Sequence, residues 1–269
     1  MILNNYLVSI NNLNDIEKYK KVGISTFLFA LKDYSIGYEK TFTIEEINNI
    51  NEKKYVLINA LLTSEDIDNL KKIINSLNVD GFIFEDVGLI NVLNELNKPA
   101  KKILYMNHFN CNSASVNAWL NYCDSVVLSN ELTLDEYRYI SEHVDSPIVL
   151  NVFGYNEIMY SKRKLLSNYY QKFMVDGKKM NTIEDQVSHI KFHLVETDLG
   201  TIALSEHIFN GSKLLNLNNV LFFYLNTSFI STDEVFKFVS GETLVNTDEG
   251  FLNTPTIYKL RGDNKWLNY

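Results

Sequence analysis

Cysteine is scarce in this chain of 269 residues, proline occurs three times, and no apolar run is long. Cys111 and Cys123 are too few for a disulfide framework or a closed all-cysteine metal site. No stretch approaches the roughly 18 apolar residues that a membrane-crossing helix needs. The N-terminal apolar segment, residues 6–10, is flanked by asparagines and lacks the cationic start and long apolar core of an export signal. These absences predict a soluble, cytoplasmic protein with no membrane contact. Neither a G-x-G-x-x-G nor a P-loop pattern occurs, so no glycine-rich turn is offered to a nucleotide phosphate. Excess positive charge is missing as well. A formal net charge of −8 argues against a generic nucleic-acid binder, because phosphate affinity needs accumulated cations.

What is present is apolar content, 46% of residues with 13% aromatic, enough to build a substantial core. The length suits one large domain over residues 1–269, since α/β barrels reach this size as single units. Short apolar runs alternate with amphipathic stretches every 20 to 30 residues. Strand-like runs fall at residues 6–10, 25–31, 55–61, 81–84, 103–106, 125–128 and 148–152. Helical patterns follow them near 14–22, 43–51, 64–77, 88–96, 113–122 and 133–143, several opening on a capping pattern such as Thr43 with Glu46, or Ser64. Near-continuous apolar strands separated by helices indicate a parallel sheet buried on both faces.

The rhythm breaks over residues 156–212. There, residues 190–195 and 201–204 alternate as strands around an Asp198-Leu-Gly200 turn, before a last strand at 220–225 and a capped helix from Ser231. The simplest assembly is a (β/α)8 TIM-like barrel with a small β-rich insertion between strands 7 and 8, and a doubly wound open sheet is the alternative.

In such a barrel the active face is built from the loops after the strands. Polar residues at those ends are Asn59, Glu85, Asp86, Asn107, His108, Asn130, Glu131, Tyr155, Asn226 and Thr227. Helix capping by Glu85 or Asp86, and turn closure by Asn107, are the structural alternatives. His108, just past a strand, is the best placed of the five histidines for acid–base work, with Glu131 and Tyr155 as further catalytic candidates. No serine or cysteine is placed by sequence as its nucleophile. His189 and His193 lie on an alternating segment, where four strand residues separate the imidazoles by roughly 13 Å, too far to share a metal. No metal site is expected.

The segment after the seventh strand carries Lys162, Arg163 and Lys164 in succession among aromatic residues. Between residues 156 and 180 six bases face Glu157 and Asp176, a local charge of +4 that leaves −12 on the rest of the chain. Tyr160, Ser161, Lys162, Arg163 and Lys164, with Asn107, are the expected binding residues. The basic segment 162–179 is a candidate surface for tRNA or an acidic partner, and a solvated loop face is the alternative. Arg261-Gly-Asp263 is treated as a chance match.

Several anchors occur in an order that resembles peptidase family U32, the collagenase-like proteases. Phe42-Thr-Ile-Glu-Glu-Ile-Asn is similar to the family's N-F-x-x-E-E-L, and Glu85-Asp-Val-Gly-Leu-Ile to its S-D-P-G-V-I. Asn107-His-Phe-Asn-Cys-Asn falls at T-Q-x-N-x-x-N, and Val126-Val-Leu-Ser-Asn-Glu-Leu-Thr-Leu-Asp-Glu matches V-V-L-A-R-E-L-S-L-E-E. The family signature, approximately H-G-A-M-C-x-x-Y-S-G-x-C-x-L-S-N, is met by Gly154, Tyr160, Ser161, Leu166, Ser167 and Asn168. Its histidine is replaced by Phe153 and its two cysteines by Glu157 and Lys164, and the acidic residue and arginine usual near the last strand give way to Tyr224-Leu-Asn-Thr227.

The resemblance implies the barrel fold. In relatives the signature cysteines, with others downstream, hold an iron–sulfur cluster, and such members are associated with hydroxylation of tRNA wobble uridine or of the ubiquinone ring. A cluster needs thiolates, usually four, so none is expected here. Some bacteria pair a short member with a longer one for the tRNA modification. The resemblance therefore implies a cluster-free accessory subunit with a longer U32 paralogue as partner. The alternatives are a U32-type peptidase or hydrolase, and a non-catalytic barrel that binds a small anionic metabolite through Asn107, His108, Glu131 and Tyr155.

Overall fold

The computed structural model of the chain describes residues 5–96, 98–106, 108–175 and 180–254. Asn107, Lys178, Lys179 and the Arg261-Gly-Asp263 match lie outside the described residues.

The expected alternation is realised. Strands β1 (Tyr6–Ser9), β2 (Thr26–Ala30), β3 (Lys53–Ile58), β4 (Gly81–Phe84), β5 (Lys101–Tyr105), β6 (Ser125–Val127) and β7 (Ile148–Ser161) pair in parallel, each with the next. Between them run helices α1 (Ile16–Lys21), α2 (Ile44–Asn48), α3 (Ser64–Ile74), α4 (Leu89–Asn94), α5 (Ser113–Leu120) and α6 (Leu134–Glu142). After β7 come α7 (Leu165–Phe173), β8 (Met180–Glu184), β9 (Lys191–Thr197), β10 (Gly200–Asn210) and a 3-10 turn, Ser212–Asn216. Strand β11 (Val220–Leu225) then pairs in parallel with both β7 and β1 and closes an eight-stranded barrel. Helix α8 (Thr232–Ser240) and the short β12 (Thr247–Asp248) follow.

Closure divides the apolar residues by strand parity, because successive side chains point to opposite faces. Leu7, Leu28, Tyr55, Leu57, Ile83, Ile103, Val127, Val149 and Phe222 form one buried cluster, the barrel interior. Their strand neighbours Val8, Phe27, Phe29, Val56, Phe82, Phe84, Leu104, Val126 and Leu150 pack in a second cluster with the helices. Helix starts are fixed by capping boxes at Thr43, Thr133 and Ser231. The box expected at Ser64 sits one residue earlier: Thr63 Oγ1 accepts from Asp66 N at 3.2 Å, and Asp66 accepts in return from Thr63 N. Threonine at 63 leaves its own amide outside the helix, where the aspartate can reach it.

The largest departure from expectation concerns β7, which does not end near Val152. It runs 14 residues to Ser161 and changes partners on the way. Up to Phe153 it is a barrel stave beside β11, and from Phe153 onward it pairs antiparallel with β10. Gly154 marks the change, with φ of +128° and a position where a Cβ would sit 2.4 Å from the Asn226 carbonyl oxygen. Only glycine tolerates both the angle and the approach. Strands β10, β9 and β8 then continue the antiparallel sheet outward. The segment taken from sequence as a basic loop is therefore a strand up to Ser161, a turn at 162–164, and helix α7.

Candidate functional site

The loops after β3, β4 and β5, together with the outer half of β7, enclose a cavity of about 380 Å³ at the barrel mouth. Its lining includes Ala60, Leu61, Glu85, Asp86, Met106, His108, Phe109, Glu157 and Tyr160. Each polar member is placed by local structure. Glu85 is the first residue past β4 and continues the inward parity of Ile83. Asp86 faces the helix instead, where its Oδ1 accepts from Gly88 N at 2.8 Å and closes the turn into α4. His108 stands in the turn after β5 with φ of +69°, and Glu157 and Tyr160 come from the outer half of β7.

The electrostatics of this cavity are unusual. Glu85 Oε1 is shut off from solvent and has no hydrogen-bond partner among the described residues. Burial, reinforced by the charge of Glu157, pushes the Glu85 carboxyl well above the ordinary carboxylate range. Burial likewise raises Glu157 to about 7, against a smaller opposing effect of His108. Two mutually repelling carboxyls, one holding its proton near neutrality, can donate a hydrogen bond, exchange a proton or pair with a cation.

The sequence candidates separate on folding. His108 and Glu131, 23 residues apart, are brought together, with His108 Nδ1 2.9 Å from Glu131 Oε1 at the rim. Tyr155 lies elsewhere: it lines narrow clefts beneath the mouth and packs edge-on against His193 at 5.4 Å. Tyr160 lines the cavity, where its hydroxyl donates to Leu199 O at 3.1 Å. Ser161 Oγ accepts from Arg163 N at 3.2 Å, a turn contact. Lys162 lies close enough to Asp66 to lower that carboxyl, though the hydrogen bonds of Thr63 matter more. Lys164 Nζ meets the fully exposed Asp198 at 2.7 Å. The expected binding set 160–164 thus points in several directions and does not form a single contact group.

Other polar residues at the strand ends hold structure. Asn59 clamps both backbone groups of Ile36, and Thr227 bonds Ser9. Asn151 donates to Asn130, which donates to Asn156, in a buried relay of 2.9 and 2.8 Å. His193 is taken up by Thr182 Oγ1 and Glu206 O, and His189 by Glu184.

Sequence reasoning kept Glu85 among the polar strand-end candidates, with helix capping as the alternative, and did not place Glu157 among the site residues. For Glu85 a signal was available: it lies two residues beyond Ile83, on the face that points inward.

The iron–sulfur ligation associated with cysteine-bearing relatives does not fit these donors. Positions 157 and 164 diverge, one to the mouth and one to the surface pair with Asp198. Of the two thiols, Cys111 follows β5 and donates to His108 O at 3.4 Å, whereas Cys123 precedes β6 at the opposite end of the barrel. Burial raises the first and holds the second up to about 11. Two thiols at opposite ends, both favouring the protonated form, cannot supply four thiolates.

The family model for peptidase family U32 matches residues 11–220. The chain is 25% identical over 222 residues to tRNA hydroxylation protein P2 of Bacillus subtilis (strain 168), a match covering 74% of this chain and 70% of that protein. It is 26% identical over 185 residues to an uncharacterized protease of Methanocaldococcus jannaschii, covering 63% of this chain and 45% of that protein. Among solved structures it is similar to a U32 peptidase at 11% identity and a TM-score of 0.46, over 64% of this chain and 75% of that one.

Proposed function

We propose, from the premise that the chain belongs to peptidase family U32, that it serves as the cluster-free accessory subunit of a tRNA wobble-uridine hydroxylation system, working in the cytoplasm beside a longer, cysteine-bearing family member. The observation that carries this reading is the fate of the two signature positions. Glu157 is built into an acidic mouth and Lys164 into a surface ion pair, so the scaffold is kept while its iron ligands are replaced by residues with other structural work. Similarity to tRNA hydroxylation protein P2 supports the choice of system.

The region around α7 supports an interaction role. Ile158, Met159, Leu165, Tyr169 and Phe173 are exposed there, interspersed with Lys162, Arg163 and Lys172. Leu165, Tyr169 and Phe173, spaced four residues apart along one face of α7, suit a protein partner, and the cations suit phosphate. A hydrolase reading is less well supported, because none of the described residues lining the cavity is a serine, threonine or cysteine.

Deleting the gene and measuring hydroxylated wobble uridine in total tRNA by mass spectrometry tests the proposal. Loss of the modification, restored by the wild-type gene, is the expected result. Unchanged modification would overturn it, as would cleavage of collagen-like peptides by the purified chain.

A further inference from the structure

Helix α7 has two apolar faces, and the fold uses one. Leu166 and Tyr170, four residues apart, face the antiparallel sheet, where they pack with Leu194 of β9 and Ala203 of β10. Leu165, Tyr169 and Phe173 repeat that spacing one residue out of step and stay 38%, 55% and 52% exposed. At 1.5 Å per residue this second stripe runs about 12 Å along the helix. The Tyr169 and Phe173 rings already pack against each other, with centroids 4.6 Å apart, so little side-chain freedom is left to lose on contact. Met159 of β7 pairs with Ala203 and adds an exposed apolar side chain on the same side of the sheet. Ten of the eighteen large apolar side chains exposed among the described residues fall between Ile158 and Ile190, so the exposure is concentrated here.

Charge decides what can cover this stripe. Residues 158–175 contain Lys162, Arg163, Lys164 and Lys172 and no carboxylate, in a chain of net charge −8. Lys162 and Arg163 precede Leu165 at one end of the stripe. Lys172 stands at the other, its ammonium 5.5 Å from the centre of the Phe173 ring. Among the described residues, Lys164 is the one of the four that has an ion pair, with Asp198. Two copies joined stripe to stripe would bring cationic ends together in either helix direction, and like charges repel. RNA would meet the cations but gain little from the stripe: Leu165 has no aromatic face, and Tyr169 and Phe173 are turned on each other at 44°. An acidic helix satisfies both, with apolar side chains at matching spacing and carboxylates toward the cations.

We propose that the outer face of α7 docks an acidic amphipathic helix of a partner protein, its apolar side chains seated on Leu165, Tyr169 and Phe173 and its carboxylates against Lys162, Arg163 and Lys172. The existence of such a partner rests on the accessory-subunit reading; the chemistry of its contact comes from the helix.

Fluorescence anisotropy on the full chain, with labelled helical peptides of about 18 residues, tests the assignment. One peptide carries a leucine stripe flanked by glutamates, a second has lysines in place of the glutamates, and a third scrambles the acidic sequence. The acidic amphipathic peptide is expected to bind at least about tenfold more tightly than either of the others. Tyr169→Ala with Phe173→Ala is expected to weaken it at least about tenfold and, both side chains being exposed, to leave the melting temperature unchanged. Arg163→Glu with Lys172→Glu is expected to reverse the preference toward the basic peptide. Equal binding of the acidic and scrambled peptides, or an unreversed preference in the charge variant, would overturn the assignment. So would an anticodon stem-loop RNA that binds more tightly than the acidic peptide and is weakened by the Tyr169 and Phe173 substitutions, or a dimer of the full chain that those substitutions disperse. Hydroxylated wobble uridine separates the two failures. If gene deletion leaves it unchanged, the tRNA reading falls and the peptide selectivity still decides the docking face. If deletion removes it and the Tyr169→Ala, Phe173→Ala chain restores it fully, the docking face falls alone.

Discussion

The barrel mouth and the N-terminus of α7 each withdraw a carboxyl from water, and the two respond in opposite directions. At α7, burial alone would raise Glu196, but Ser167 Oγ, Thr201 Oγ1 and the amides of Leu166 and Ser167 all donate to it, and its pKa ends below the ordinary value. The first turn of a helix leaves unbonded N–H groups and a partial positive charge, and Glu196 satisfies both. At the mouth burial raises both Glu85 and Glu157, and the charge of Glu157 adds to the rise at Glu85. Placing a charge where the fold supplies donors stabilises structure. Placing one where burial outweighs what the fold offers in return stores free energy.

The pH dependence of stability probes this contrast most strongly. Unfolded, Glu157 loses its proton near 4.5; folded, it keeps the proton to about 7. Between those values the folded state binds more protons, so this group's contribution to stability falls as pH rises from about 5 to 8, by at most about 3 kcal/mol. Glu85, raised further, extends the loss in the same direction. Urea denaturation from pH 5 to 8 is expected to show wild type losing roughly 2–3 kcal/mol relative to Glu157→Gln, with Glu85→Gln also more stable than wild type at pH 8. Parallel curves for wild type and variants would show that the mouth stores nothing.

The second site should behave in reverse. Glu196→Ala strips the α7 N-terminus of its acceptor and is expected to cost about 1–2 kcal/mol, the scale of a lost helix cap. Hydrogen exchange should show the loss confined to α7 and the β9–β10 hairpin, with β1–β6 unchanged. A uniform loss of protection across the barrel would contradict the separation of the two regions. The smallest effect belongs to Lys164→Ala, which removes only an exposed ion pair with Asp198 and should leave the melting temperature unchanged. A clear drop would mean that Lys164 holds the turn, not merely decorates it.

Most of the barrel was legible in the chain because buried parallel strands are continuous apolar runs. β4 and β11 fall on the residues read from sequence, and the caps at Thr43, Thr133 and Ser231 stand where threonine or serine precedes glutamate by three. The outer half of β7 was not legible. Tyr155 to Ser161 mix polar and apolar residues on a strand half exposed to solvent, and three cations directly after it imitate a loop. β8 was hidden for a similar reason: it is a polar outer strand held by pairing with β9. The site was legible only in pieces. His108 and Glu131 were candidates together, but their contact depends on the pairing of β5 with β6, which brings the loops after them side by side. Glu85 stood among the strand-end candidates beside Asp86, and only the turn-closing bond from Gly88 N to Asp86 separates their roles.

One consequence follows from the double service of β7. Because a single unbroken strand is both stave and outrigger, the barrel and its antiparallel extension are inherited as one piece. Changes in α7 or in β8 and β9 alter an appendage hung from the far side of β10. An insertion between Gly154 and Ser161 would instead shift the pairing with β10 and carry Glu157 off the mouth. Variation in this lineage is therefore expected to collect beyond Ser161 and to stop short of Gly154, leaving the acidic mouth fixed while the outer surface adapts to whatever it meets.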